Sequence, residues 1–192
     1  MKTEYEATFP NVNKDEIRER LKKAGAVLTR PEFLQKRYAI DLHESYNGKK
    51  GWIRVRDEGD KTTLSYKYRE GDNIDSIKEH TITVNDMEET RIFLNLIGCQ
   101  TKAYQETKRE IWILEEAEIT IDEWPYLEPF VEIEAESEAI VKKVSAMLGF
   151  AYGEAIFGPV SILYSKKYNI PERVVNFETP RITFEEANPF EK

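Results

Sequence analysis

Two carboxylates one residue apart, Glu4 and Glu6, open the chain on a stretch that alternates: Glu4, Glu6 and Thr8 share one side of a strand, and Tyr5, Ala7 and Phe9 the other. Held that close, the carboxylates repel, and solvent, arginines and lysines, or a divalent cation must offset them. The same spacing recurs in Glu132 and Glu134, and with opposite sign in Arg54 and Arg56. On one strand face these arginines stand roughly 7 Å apart, and a guanidinium's planar fork meets phosphate oxygens in pairs. Carboxylates cannot take phosphate directly, but they hold hard cations that bridge to it. Taken singly, each piece also describes a solvated strand face, the ordinary state of such charges. Several strands with charged faces of alternating sign favour a shared site over separate surfaces.

Those strands can be placed by period and punctuation. Asn13 caps a helix over Lys14–Ala24, with Ile17, Leu21 and Ala24 as its buried stripe and Gly25 as its stop. Phe33 to Leu42 alternates, with Gln35, Arg37, Ala39 and Asp41 on one face. A turn is predicted at Tyr46-Asn47-Gly48, then a hairpin of Trp52–Arg56 and Thr62–Arg69 about Glu58-Gly59-Asp60. Strands follow over Lys78–Val84, Tyr104–Leu114, Glu118–Trp124 and Phe130–Ala135, and helices over Asp86–Leu96, Glu138–Leu148 and Pro159–Tyr168. This is a mainly antiparallel α+β domain. If the amphipathic helices cover the apolar faces, the charged faces turn inward and line a cavity; a closed barrel built so leaves no open sheet edge. The domain is expected over 1–170, and 171–192 reads as a C-terminal extension, packed on it or partly mobile.

Composition narrows the partners. The chain has 192 residues, 40% apolar and 33% charged, with a net charge of −8, which argues against general binding to nucleic acid or to an acidic membrane. No apolar run approaches a membrane span. Cys99 is the only cysteine, and His43 and His80 are the only histidines, which excludes an internal disulfide and makes a thiolate or histidine metal cluster a poor fit. A reducing, cytoplasmic setting is the default expectation. Cys99 and His80 read as structural, Tyr38 and Trp52 as packing, and Lys166 and Lys167 as a helical surface pair.

Taken in order, Glu4-x-Glu6, Arg54-x-Arg56, Lys67, Glu79, Lys108-Arg109, Ile121-Asp122-Glu123 and Phe130-Val131-Glu132-Ile133-Glu134 resemble the CYTH superfamily, the triphosphate tunnel metalloenzymes. That superfamily includes class IV adenylyl cyclases, thiamine triphosphatases and inorganic tripolyphosphatases. The resemblance runs from about residue 1 to 168. It implies a closed eight-stranded antiparallel β-barrel with helices outside, whose polar interior binds a triphosphate-containing small molecule with Mg2+ or Mn2+. On this reading Arg54, Arg56, Lys67, Arg109, Arg37 and Lys108 are the substrate-binding candidates. Glu4, Glu6, Asp122, Glu132 and Glu134 are the metal candidates, and Glu79 the catalytic one. The expected activity is metal-dependent hydrolysis of tripolyphosphate, thiamine triphosphate or a nucleoside triphosphate. A class IV-type cyclase making cyclic AMP and a non-catalytic nucleotide or polyphosphate binder are the alternatives. By analogy with relatives, a homodimer is the assembly to test.

Two features cut across the resemblance. Lys108 and Arg109 are adjacent, so in a regular strand only one faces inward, and Arg109 shares its parity with Ile111 and Ile113. The family pattern E-x-E-x-K ends here in Thr8, so a cation that the family associates with the reacting centre is missing. Arg37 is expected to reach the vacated space and restore the charge. An arginine can hold phosphate there but cannot serve as a general base.

Overall fold

A computed structural model of the chain describes residues 1–43 and 51–191; the turn at Tyr46-Asn47-Gly48 lies outside the described residues. The first strand, β1, is Lys2–Phe9, and helix α1 follows over Lys14–Ala24. The helix starts where it does because the Asn13 side chain accepts from the backbone N–H groups of Asp15 and Glu16 at 3.0 and 3.2 Å. It ends at Gly25, whose φ of +83° is left-handed backbone that a side chain resists.

The remaining strands are β2 (Val27–Asp41), β3 (Gly51–Asp57), β4 (Thr62–Arg69), β5 (Ile77–Val84), β6 (Gln100–Leu114), β7 (Ala117–Glu123) and β8 (Phe130–Ala135). They hydrogen-bond in the order β2-β3-β4-β5-β1-β8-β7-β6, and β6 returns to β2, which closes an eight-stranded antiparallel barrel. Helices α2 (Met87–Leu96), α3 (Glu138–Met147) and α4 (Ser161–Tyr168) complete the described helical framework with α1. Strand β2 begins six residues before the Phe33 that sequence period marks. It runs through Pro31, which has no N–H to give the ladder, and register shifts between Leu28 and Phe33 absorb the gap.

Closure sets the two faces. Ala7, Phe9, Trp112, Ile119, Ile121, Val131 and Ile133 point outward, where Ile17 and Leu21 of α1 and Val141, Val144 and Leu148 beyond β8 cover them. Each such buried aliphatic side chain contributes about 1.5–3 kcal/mol of transfer free energy. A smaller cluster places Leu94 of α2 over Ile40 and Val55. The polar parity of every strand is therefore left for the interior.

The chain after α4 packs back on the barrel. Residues Val174–Glu178 form a single wide turn, and a short strand β9, Arg181–Ile182, runs parallel to β6 opposite Tyr104 and Gln105. Strand β7 pairs with β6 only from residue 108 onward, which leaves that part of the β6 edge free for β9. Val175 and Ile182 are fully buried with Trp124, Phe130 and Tyr164. Among the described residues no helix is long and apolar enough to cross a membrane.

Candidate functional site

The interior encloses a cavity of 640 Å³ lined by charged residues from all eight strands. Its basic side comes from Lys67 and five arginines; Arg69 on β4 pairs with Asp72 at 2.7 Å, and the other four are Arg37, Arg54, Arg56 and Arg109. Arg37 on β2 and Arg56 on β3 are direct cross-strand partners, and Arg54 lies two residues before Arg56 on the same face. Arg109 enters from β6. Like charges gathered on one buried wall are unfavourable, and the arginines show it. Burial together with Arg54 and Arg109 holds Arg56 down to about 10, and burial with Arg54 and Arg56 lowers Arg37 well below the usual arginine range.

Carboxylates answer three of the four. Arg54 meets Glu79 at 3.0 Å, and Arg56 meets Glu58 at 2.7 Å. Arg109 donates through Nε and Nη2 to the two oxygens of Asp122 at 2.7 and 2.9 Å, and through Nη2 to Glu132 at 2.7 Å. Arg37 is held otherwise: its Nε donates to the Gln105 side-chain oxygen at 2.9 Å, and its guanidinium lies 4.1 Å over the ring of Trp124.

The acidic side gathers on β1 and β8. Register places Glu6 opposite Glu134 and Thr8 opposite Glu132. Burial, then the Glu132 charge, pushes the Glu6 carboxyl well above the usual range; burial, then Asp122, pushes Glu132 up to about 7. Glu4 is pushed to about 7 by burial and by its hydrogen bond with Glu79, although Lys67 lies 3.1 Å away. Lys67 also stands 3.0 Å from Glu79. Against burial, the hydrogen bond from Glu4 and the charges of Arg54 and Lys67 keep Glu79 far below the usual carboxylate range.

These carboxylates fit a hard divalent cation in kind: Glu6, Glu132 and Glu134 offer only oxygen, and burial drives two of them toward protonation, the condition a cation relieves. Among the described residues no three acidic side chains converge on a single ligating geometry. Asp122 fits less well than the other four. It is fully buried, and beyond Arg109 its Oδ2 accepts from Thr120 at 2.6 Å, so both oxygens are engaged.

The structure thus brings together Glu4, Glu6, Arg37, Arg54, Arg56, Lys67, Glu79, Arg109, Glu132 and Glu134 around one cavity. Asp122 stands behind Arg109. Lys108 does not join them: it points outward, 3.4 Å from Glu123 and 4.5 Å from the centre of the Phe184 ring. Strand parity decides between Lys108 and its neighbour. Arg109 faces inward although Ile111 and Ile113 share its face: Ile111 lines a smaller adjoining pocket with Arg54, Arg56 and Glu118, and Ile113 is exposed.

Thr8 is buried, and both its backbone groups bond to those of Ile156. Arg37 does not fill its place. Strand β2 lies four positions from β1 around the ring in either direction, and the Arg37 side chain is committed to Gln105 and Trp124.

Sequence reasoning passed over the neutral part of the lining, Gln35, Gln105 and Thr107, and the wall supplied by Glu172, Asn176 and Phe177 of the C-terminal segment. The inward parity of β2 and β6 was the signal available for the first three. Nothing in the strand pattern announces the last three.

The sequence pattern of the CYTH domain matches residues 2–147. No curated protein matches the chain by sequence. Several solved structures share its fold. A conserved hypothetical protein from Pyrococcus furiosus is 18% identical with a TM-score of 0.68, over 80% of this chain and 94% of that one. A candidate adenylate cyclase from Vibrio parahaemolyticus is 12% identical with a TM-score of 0.71, over 85% and 98%. A candidate adenylyl cyclase from Hippeastrum, described as having a dominant triphosphatase activity, is 12% identical with a TM-score of 0.55, over 90% and 99%. At these identities the likeness is one of fold.

Proposed function

The chain belongs to the CYTH domain family, and from that premise we propose that it binds the triphosphate group of a small molecule inside the barrel and hydrolyses it with the help of Mg2+ or Mn2+. One observation carries the reading: Arg37 and Arg56 face each other across β2 and β3 with Arg54 and Arg109 beside them, inside a closed barrel whose other wall is acidic. Buried cations in direct opposition cost the empty protein, and a polyanion is the ligand that reverses the cost.

Arg37, Arg54, Arg56 and Arg109 bind and orient the phosphoryl groups, and Lys67 adds a point charge. Glu6, Glu132 and Glu134, with Glu4 beside them, would hold the divalent cation. When bound, the cation would neutralise charge on the phosphoryl oxygens and activate water for in-line attack. Glu79, held ionised between Arg54 and Lys67, is better suited to orienting those two cations than to exchanging a proton.

The test is an incubation with tripolyphosphate, thiamine triphosphate or ATP and either metal, assayed for phosphate, pyrophosphate and cyclic AMP. Phosphate release is the expected result. Pyrophosphate with cyclic AMP would replace the hydrolase by a cyclase. Thr8, standing where the family carries a lysine, favours a second reading, a non-catalytic binder; binding with no product would establish it over both enzymes. The metal assignment has its own check. Glu132→Ala and Glu134→Ala are each expected to raise the metal concentration needed for half-maximal activity or binding by at least about tenfold, the loss that even an outer-shell partner brings. An unchanged metal titration in both variants would remove these residues from the metal site.

A further inference from the structure

Arg37, Arg54, Arg56 and Arg109 differ in one respect that their shared chemistry does not require. Arg54, Arg56 and Arg109 each have a carboxylate within 3.0 Å. Arg37 forms no ion pair among the described residues; its partners are an amide oxygen and an aromatic face. The amide belongs to Gln105, its direct cross-strand neighbour on β6, and this side chain is 1% exposed. Gln105 is also held from the other side, where its Nε2 donates to the backbone carbonyl of Val175 in the C-terminal segment at 3.5 Å. The guanidinium demands an acceptor and the carbonyl demands a donor. A carboxamide meets both demands, and the pair of contacts fixes which way it points.

We propose that Gln105 is a positioning residue for polyphosphate binding: it aims Arg37 into the cavity while leaving that arginine's positive charge for the ligand to answer. The inference rests on the reading of the cavity as a triphosphate site. A carboxylate at this position would orient the guanidinium as firmly, as Asp122 does for Arg109, but would also cancel its charge. The Trp124 face likewise attracts the cation without neutralising it. Arg37 thereby differs from its neighbours, each of which must share its charge between protein and ligand. The same amide ties the C-terminal segment to the cavity wall, because the Val175 contact is what sets the orientation of the oxygen that Arg37 uses.

The test is a calorimetric titration with inorganic tripolyphosphate and Mg2+ of the wild-type chain, Gln105→Met, Gln105→Glu, Arg37→Ala and the double variant Arg37→Ala/Gln105→Met, with thermal unfolding measured for each. Gln105→Met is expected to weaken binding by about tenfold, the size of one lost hydrogen bond to a charged group. Gln105→Glu is expected to weaken it at least as much, because the glutamate keeps the length but cancels the charge. In the Arg37→Ala background Gln105→Met should add nothing, since the glutamine acts through that arginine. If the methionine variant fails to fold, the isosteric glutamate variant carries the test. Wild-type affinity in Gln105→Glu, or an equal loss from Gln105→Met with and without Arg37, overturns the inference. A wild-type chain that binds neither tripolyphosphate nor any other triphosphate overturns the reading beneath it instead.

Discussion

Alanine at Arg54 or at Arg56 is expected to weaken tripolyphosphate binding by about 10- to 100-fold each, while Lys108→Ala leaves it unchanged. A hydrogen bond to a charged group contributes about 1.5–3 kcal/mol, and 1.4 kcal/mol is a factor of ten in affinity. The two arginines should separate in stability. Without Arg54, Glu79 keeps Lys67 at 3.0 Å and is still answered. Without Arg56, Glu58, which is 5% exposed, keeps among the described residues only the Thr63 hydroxyl at 3.3 Å and Lys61 at 3.7 Å. Arg56→Ala should therefore cost more folding stability, offset in part because Arg37 loses the like charge opposite it. Isothermal calorimetry with thermal unfolding reads both effects. If neither arginine variant differs from wild type in affinity, these side chains hold no phosphate. If Lys108→Ala behaves like them, ligand reaches the outside of the barrel.

The division of each strand into an outward apolar and an inward charged face was legible because the side-chain period of a strand is two. Glu4/Glu6, Arg54/Arg56 and Glu132/Glu134 announce their face by repeating one charge at that period, and Asn13 and Gly25 bound α1 by chemistry that local sequence carries. The pairing that closes the ring is a long-range fact: β2 and β6 join over almost their full lengths, and no residue of either names the other. Pro31 conceals the first part of β2, since a proline inside a strand reads as a break until a register shift is seen to absorb it. Within the cavity, charge was the visible signal, so neutral Gln105 and Thr107 escaped notice, and Gln35, although placed on the face of Arg37, was not read as a site residue. The C-terminal wall escaped for another reason. Glu172, Asn176 and Phe177 lie on no strand, and long-range contacts bring that segment to the cavity: Val175 packs with Trp124 and Tyr164, and β9 pairs with β6.

Asp122→Ala is expected to lower folding stability by about 3–5 kcal/mol, the cost of removing one partner from a buried ion pair. For a chain of this length that is a fall in unfolding temperature of roughly 6–20 °C. Asp122 resembles a metal ligand in sequence, one carboxylate in an ordered series, yet in the barrel each oxygen is taken: Oδ1 by Arg109, Oδ2 by Arg109 and Thr120. Removing it strands a guanidinium with Glu132 alone, and drawing Glu132 further toward Arg109 would take that carboxylate from the acidic wall. A carboxylate whose main work is to hold Arg109 should therefore show its loss first in unfolding, and in metal demand only through Glu132. Asp122→Asn sharpens the distinction. It preserves shape and one acceptor but removes the charge, so its stability should fall between wild type and alanine, with a metal titration close to that of wild type at a temperature where the variant is folded. A variant that unfolds at the wild-type temperature yet needs far more Mg2+ or Mn2+ would return Asp122 to the cation, and Arg109 would then have to be freed from it before phosphate binds.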